Sequence, residues 1–225
     1  SYLWRYSSIT MRCRSVMHSA EQKKGIQRTL FGIAGFIALV LGLVFSTYTF
    51  REVSLSQEEA AALGYIQFEQ ARPVVGLAMI NQDGDLVSES TFLGRWNLLY
   101  FGFTYCPDIC PTTLAVMNQA LEGIENAPAV HLVTVDPERD TPDQLRRYLA
   151  AFNPTFQGMT STHEATVHFA QQVNVAFGKI PDKEPGTYTM DHTGSIVVIN
   201  PQGGYQGFIK APHNAQDLAT IIRHL

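Results

Sequence analysis

The sequence predicts an α/β domain, with a central mixed sheet flanked by helices, preceded by one N-terminal transmembrane helix. Three observations predict it. Residues 30–50 carry no charged side chain. Near-continuous apolar runs of strand length begin at Trp96 and Ala129, and such runs suit strands covered on both faces. Apolar residues at helical spacing separate those runs, and the chain closes on a strand pair and a helix.

The run LFGIAGFIALVLGLVFSTYTF fills residues 30–50, 21 residues in all. At about 1.5 Å per residue it makes a helix about as long as one hydrocarbon core. A signal peptide is the competing reading, and it is weakened because Ala60-Ala61-Ala62 lies too far beyond the run to serve as a cleavage site. Before residue 30 the charged residues are Arg5, Arg12, Arg14, Lys23, Lys24 and Arg28 against Glu21. That basic flank predicts a cytoplasmic tail at 1–29 and an exported chain beyond residue 50. The expected setting is a single-pass inner-membrane protein with its domain in the periplasm. The Arg- and Ser-rich, acid-free residues 1–20 suggest an alternative, a mitochondrial inner-membrane protein facing the intermembrane space. The chain does not begin with Met, and Met11 and Met17 are alternative starts.

Residues 51–71 read as a linker with a short helix, because Ser56 and Glu59 form a capping-box pattern ahead of three alanines. The folded domain is expected over residues 72–225. Residues 74–80 read as a strand, and Asp83-Gly84 as a turn. Residues 96–104 read as a buried central strand, followed by Leu114, Met117, Leu121 and Ile124 at helical spacing. Residues 129–135 read as a second buried strand. Thr141-Pro142 opens a helix as cap and first position, with Leu145, Tyr148, Leu149 and Phe152 inward. Ser161 and Glu164 form a further capping-box pattern, opening a helix to about Gln172. Residues 195–199 and 205–209 read as a hairpin, and Leu218, Ile221, Ile222 and Leu225 as a last helix. A parallel β-α-β unit followed by an antiparallel pair and a helix is the thioredoxin-like order.

A net charge of -4 hides an asymmetry: beyond residue 50 there are ten basic and nineteen acidic residues. An acidic domain without a basic, aromatic-studded stripe is a poor partner for nucleic acid. Cys13 lies in the tail, leaving Cys106 and Cys110 as the thiols on the exported side, where disulfides persist.

The chemistry concentrates in FGFTYCPDICPTT at 101–113. Pro111 restricts the residue before it, which predicts a helix starting at Pro111 with Cys110 near its cap. Both cysteines then precede a helix N-terminus, whose positive end favours thiolate. Three residues separate them, where thioredoxin-type redox sites use two. Two thiolates select copper(I), zinc or iron–sulfur chemistry. A metal needs a third ligand, and there are seven histidines to supply it. His18 is in the tail. His131 lies in an apolar strand and reads as a satisfied sheet histidine. His163 and His168 diverge around a helix, and His213 and His224 read as a cap and a surface residue. His192, in Met-Asp-His-Thr-Gly before the strand at 195, sits where a thioredoxin-like fold packs a loop against the cysteines. Asp191 beside it is placed to orient the imidazole or its loop. Asp136, Arg139 and Asp140 read as a loop-locking network with Thr141 capping the next helix, in preference to a catalytic cluster. Trp96, Tyr100, Phe101 and Phe103 read as core.

Three segments, FGFTYCPDICPTTL at 101–114, VDPERDTP at 135–142 and YTMDH at 188–192, resemble the signatures of the Sco/SenC family in order and spacing. The resemblance covers residues 55–225, and Met190 stands where the family often has Val. It implies a thioredoxin-like fold that binds one copper ion per chain through Cys106, Cys110 and His192, with Asp108 tuning the metal site. It implies a role in assembling the CuA centre of cytochrome c oxidase, the oxidase's copper-bearing subunit being the client. Other copper carriers or thiol–disulfide reductases are the further expected partners. A metallochaperone of this kind needs no substrate turnover. The competing function is a thiol–disulfide oxidoreductase that keeps the client's copper-ligand cysteines reduced. A merely structural disulfide is the weakest reading, since so short a loop gives little entropic stabilisation.

Overall fold

The computed structural model describes residues 20–49, 55–184 and 186–225. Cys13, His18, both candidate start methionines and most of the tail lie outside the described residues.

The chain divides into two compact units, residues 1–52 and 53–225. In the first, helix α1 runs Ala20–Thr49. Its segment Gln27–Ser46 is 20 residues long and apolar enough to cross a membrane. The helix starts ten residues before the predicted span. Ala20, Glu21, Gln22, Lys23 and Lys24 are good helix formers, so the polar lead-in continues the same helix.

The second unit opens with α2 (Gln57–Ala62), where Ser56 and Glu59 make the predicted capping box. It continues through β1 (Tyr65–Pro73), β2 (Met79–Asn81), β3 (Leu86–Val87), a 3-10 turn at Glu89–Phe92 and β4 (Asn97–Gly102). Then come α3 (Ile109–Leu121), β5 (Ala129–Thr134), α4 (Pro142–Ala150), β6 (Gln157–Thr160) and α5 (His163–Gln172). The chain ends with β7 (Phe177–Pro181), β8 (Tyr188–His192), β9 (Ile196–Ile199), β10 (Gly204–Ile209) and α6 (Ala215–Ile222). Eight strands form one sheet in the order β1-β10-β9-β4-β5-β6-β2-β3, and β7 and β8 form a separate two-stranded ribbon. Strands β4, β5 and β6 are parallel, while β9 and β10 add antiparallel. This is the mixed thioredoxin-like sheet that the element order predicts. Every residue of β4 and β5 is buried, as their near-continuous apolar runs predict.

Four local expectations give way. The last third of the segment read as linker belongs to strand β1, paired antiparallel with β10 from Tyr65↔Ile209 to Pro73↔Gly204. Its polar residues face outward on an edge strand, which weakens the apolar signal. Of residues 74–80, only the end pairs as β2. The backbone N–H of Val75 donates to Gln172 Oε1 at 2.9 Å and that of Leu77 to Glu89 Oε1 at 3.1 Å, so side chains take the place of a ladder. Helix α5 is capped by Thr162, which accepts from Ala165 N at 3.2 Å, while the Ser161 hydroxyl donates to the Ala78 carbonyl. Helix α3 starts two residues before Pro111. First-turn N–H groups have no intrahelical partner, so a proline there forfeits no bond.

Candidate metal centre

Strand β4 ends at Gly102, beneath the cysteine loop. A Cβ at Gly102 would stand 3.0 Å from Cys110 Sγ, so the absent side chain is what lets the sulfur pack onto the strand end. The loop turns back through Cys106 N–H to Phe103 O at 3.3 Å and enters α3. Cys110 lies in the first turn, fully buried, and Cys106 is 8 % exposed. The Cys110 N–H donates to Cys106 Sγ at 3.4 Å, and both cysteines are unbridged. Asp140, at the end of the 135–142 segment, holds the loop from below. It accepts from Thr104 N at 3.0 Å, from Thr104 Oγ1 at 2.6 Å and from Thr134 Oγ1 at 2.6 Å. Burial raises its carboxyl above the usual range, and the two threonines oppose that shift.

His192 ends β8, opposite Phe177 on β7. Its Nδ1 lies 3.2 Å from the Thr193 carbonyl and its Nε2 lies 3.4 Å from Cys110 Sγ. A carbonyl only accepts, so Nδ1 carries the proton and Nε2 keeps its lone pair toward the sulfur. Burial lowers the imidazole's basicity, outweighing Thr193 and the Asp191 charge, which both favour the cation. The neutral ring is wedged edge-on against Tyr100 and Phe103, with centroids at 5.8 Å and 6.0 Å.

Cys106, Cys110 and His192 therefore present two sulfurs and one nitrogen within 4.8 Å of one another. It is the one such group of three or more Cys, His, Asp or Glu residues among the described residues. Ligand atoms around an ion held at about 2.0–2.3 Å sit roughly 3.5–4 Å apart, so modest closure suffices. Soft sulfurs with a neutral imidazole fit copper(I) or zinc.

One expectation about the site changes. The helix dipole was expected to favour thiolate, but burial wins at Cys110 and pushes its thiol well above the ordinary range. Such a sulfur gives up its proton when a cation replaces it. Asp191 is exposed and lies opposite Gly178, and the hydrogen-bond partner of the imidazole Nδ1 is the Thr193 carbonyl. Asp108 is exposed at the N-cap of α3 and makes no capping bond with its side chain. His131 lies in the sheet as expected, fully buried with Nε2 at 3.0 Å from Asn97 Oδ1, but it is only half satisfied, since its Nδ1 is buried without a partner. The loop-locking network read at Asp136, Arg139 and Asp140 is present, but that Thr104 is what Asp140 holds, and the aromatic packing of His192, had no counterpart in the sequence reading, because neither follows from spacing.

Fold and site together define a thioredoxin-like protein with a dithiol–imidazole centre at the end of its parallel strands. The SCO1/SenC family profile matches residues 72–225. This chain belongs to the SCO1/SenC family. It is 35% identical over 156 residues to a candidate copper-binding protein of Stutzerimonas stutzeri, covering 67% of this chain and 76% of that one. It is 33% identical over 151 residues to the mitochondrial SCO2 homologue of Mus musculus, covering 65% of this chain and 59% of that one. Among solved structures, Arabidopsis thaliana ScoI with copper bound superposes with a TM-score of 0.61 at 31% identity. That match covers 67% of this chain and 96% of the other. The chain thus spans about three fifths of the mouse relative's length.

Proposed function

We propose that this chain binds one copper ion through Cys106, Cys110 and His192 and passes it to the copper-bearing subunit of cytochrome c oxidase during CuA assembly. The observation that carries the reading is the convergence of two thiols with the free lone pair of a neutral imidazole. The copper-bound state of Arabidopsis ScoI and the name of the Stutzerimonas protein support the choice of copper over zinc. Copper here is cargo, and the residues do three things: the sulfurs bind, the imidazole completes the set, and Gly102 with Asp140 holds the loop in place. Cys106, the less buried sulfur, gives an incoming thiolate a point of approach for ligand exchange. Asp108 and Asp191 are exposed beside the centre and are proposed to tune it electrostatically. The apolar helix is proposed as a single-pass anchor with its basic end in the cytoplasm and the domain in the periplasm, or in the intermembrane space of a mitochondrion.

Thiol–disulfide exchange with the client is the second reading, favoured by the adjacency of two reduced cysteines. It does not need His192. Titrating the reduced protein with copper separates the two. One copper per chain is expected, bound far more weakly in Cys106→Ala, Cys110→Ala and His192→Ala. Undiminished binding in any two of these variants overturns the ligand assignment.

A further inference from the structure

The segment 135–142 leaves one set of interactions that the metal site does not explain. Asp136 is buried at 1% exposure and pairs with the Arg139 guanidinium, three residues on. The same aspartate accepts from the Tyr188 hydroxyl at 2.8 Å. Arg139 Nη1 donates to the Tyr188 carbonyl at 3.2 Å. The guanidinium lies over three rings: Tyr188 at 4.0 Å, Tyr105 at 5.0 Å and Phe103 at 5.9 Å. Phe103 and Tyr105 belong to the cysteine loop. Tyr188 begins the strand that ends at His192. Arg139 is thus clamped between the two halves of the centre.

The ribbon that carries His192 is anchored by Met190 in the core, by Phe177 against the His163 ring at 5.7 Å, and by this clamp. Strands β7 and β8 are not part of the eight-stranded sheet. Among the described residues, the side-chain hydrogen bonds from those two strands to the rest of the fold run to residues 136–139, apart from the two that His192 makes itself, to Cys110 and to the Thr193 carbonyl. Besides the Tyr188 contacts, Lys179 Nζ reaches Glu138 at 2.7 Å, an exposed pair of small weight. The arginine Nη2 is buried without a partner, a cost that a loop serving only its own turn would not incur.

We propose that Arg139, locked by Asp136 onto Tyr188, is a positioning residue that sets the distance between the cysteine sulfurs and the His192 imidazole. It does so by gripping the cysteine loop with its cation–π faces and the histidine strand with its hydrogen bonds. Arginine suits the task because its planar fork stacks and donates at once, which a lysine cannot do. The 136–140 segment is then one bracket with two arms. Asp140 fixes Thr104, two residues before Cys106, and Arg139 fixes Tyr188, four residues before His192. The consequence for metal retention rests on the proposed ligand role of His192; the hold on the ribbon does not.

The test uses the full-length chain in detergent micelles, reduced. Hydrogen exchange is followed on the metal-free protein, and release of copper(I) to excess bicinchoninate on the loaded one. In Arg139→Gln, amides of β7 and β8 should exchange about tenfold faster while those of β4 and β5 keep their wild-type rates, and copper should leave about tenfold faster. Arg139→Lys should restore part of both, and Tyr188→Phe, which keeps the ring but not the hydroxyl, should fall between wild type and Arg139→Gln. In the double variant with His192→Ala, copper release should be no faster than in His192→Ala alone, because the clamp acts through that imidazole. Wild-type ribbon exchange in Arg139→Gln overturns the proposal, as does a release rate that multiplies in full on top of His192→Ala. If His192→Ala releases copper like wild type, the ligand assignment fails, and the exchange data still decide whether Arg139 holds the ribbon.

Discussion

Single atoms decide whether the centre can form. At Gly102 a methyl group would meet Cys110 Sγ at 3.0 Å, Tyr100 Cε1 at 3.1 Å and Leu132 Cδ1 at 3.2 Å. Gly102→Ala should therefore cost about 1–3 kcal/mol of stability, the usual range for overpacking, and weaken copper binding by moving the sulfur. Gly178→Ala is the control, since nothing stands within 4 Å of a Cβ there. Denaturant unfolding and copper titration of both variants check this; equal behaviour would contradict the close packing. The identities of the two cysteines and the histidine were legible from residue chemistry and motif spacing. The atoms that tune them were not. Thr193 controls the ring through its backbone carbonyl, which no sequence letter reports. The burial that raises the Cys110 thiol is a property of the folded core, so a local argument from the helix dipole gave the wrong sign.

Among the elements, legibility followed burial. Strands β4 and β5 announced themselves because both faces are covered, which forces every position to be apolar or internally paired. Edge strand β1 alternates Gln67, Glu69 and Arg72 with inward residues, and its partner lies more than a hundred positions away in β10, so it passed for linker. The start of α3 was misplaced because a proline's local restriction was weighed above its harmlessness in a first turn. His131 shows how elements are pinned together. Its Nε2–H donates to Asn97 Oδ1, while the Asn97 amide donates to Phe92 O at 2.9 Å and Arg95 O at 2.8 Å, tying β5 to the entry of β4. Burial pushes this imidazole from 6.5 down to about 3. Below about pH 6.5 the unfolded chain takes up a proton that the fold refuses, so the stability is complete above that pH and is lost as pH falls toward 3. Urea unfolding from pH 7.5 to 5 should show stability falling below pH 6.5 by up to about 1.4 kcal/mol per unit from this one group. His131→Gln should remove that share of the slope; an unchanged slope would contradict a buried neutral imidazole.

Across the whole molecule, one contact joins parts of the chain 82 positions apart, His192 to Cys110. Neither residue is unusual in its own segment. Strand β4 delivers the cysteine loop, and a two-stranded ribbon outside the sheet returns the histidine to it. The sequence made that meeting legible only through fold order and family signatures, because nothing local specifies contact at such separation. The SCO1/SenC match covers residues 72–225, most of the unit that contains the centre, and none of the apolar helix before it. The copper absorption edge of the loaded, reduced protein tests the central claim most directly, because scattering distances count the sulfur and nitrogen ligands at the metal. Two sulfurs and one imidazole nitrogen are predicted, with the nitrogen lost in His192→Ala and one sulfur lost in each cysteine variant. A shell of oxygen and nitrogen alone, or of sulfurs supplied by more than one chain, would contradict it.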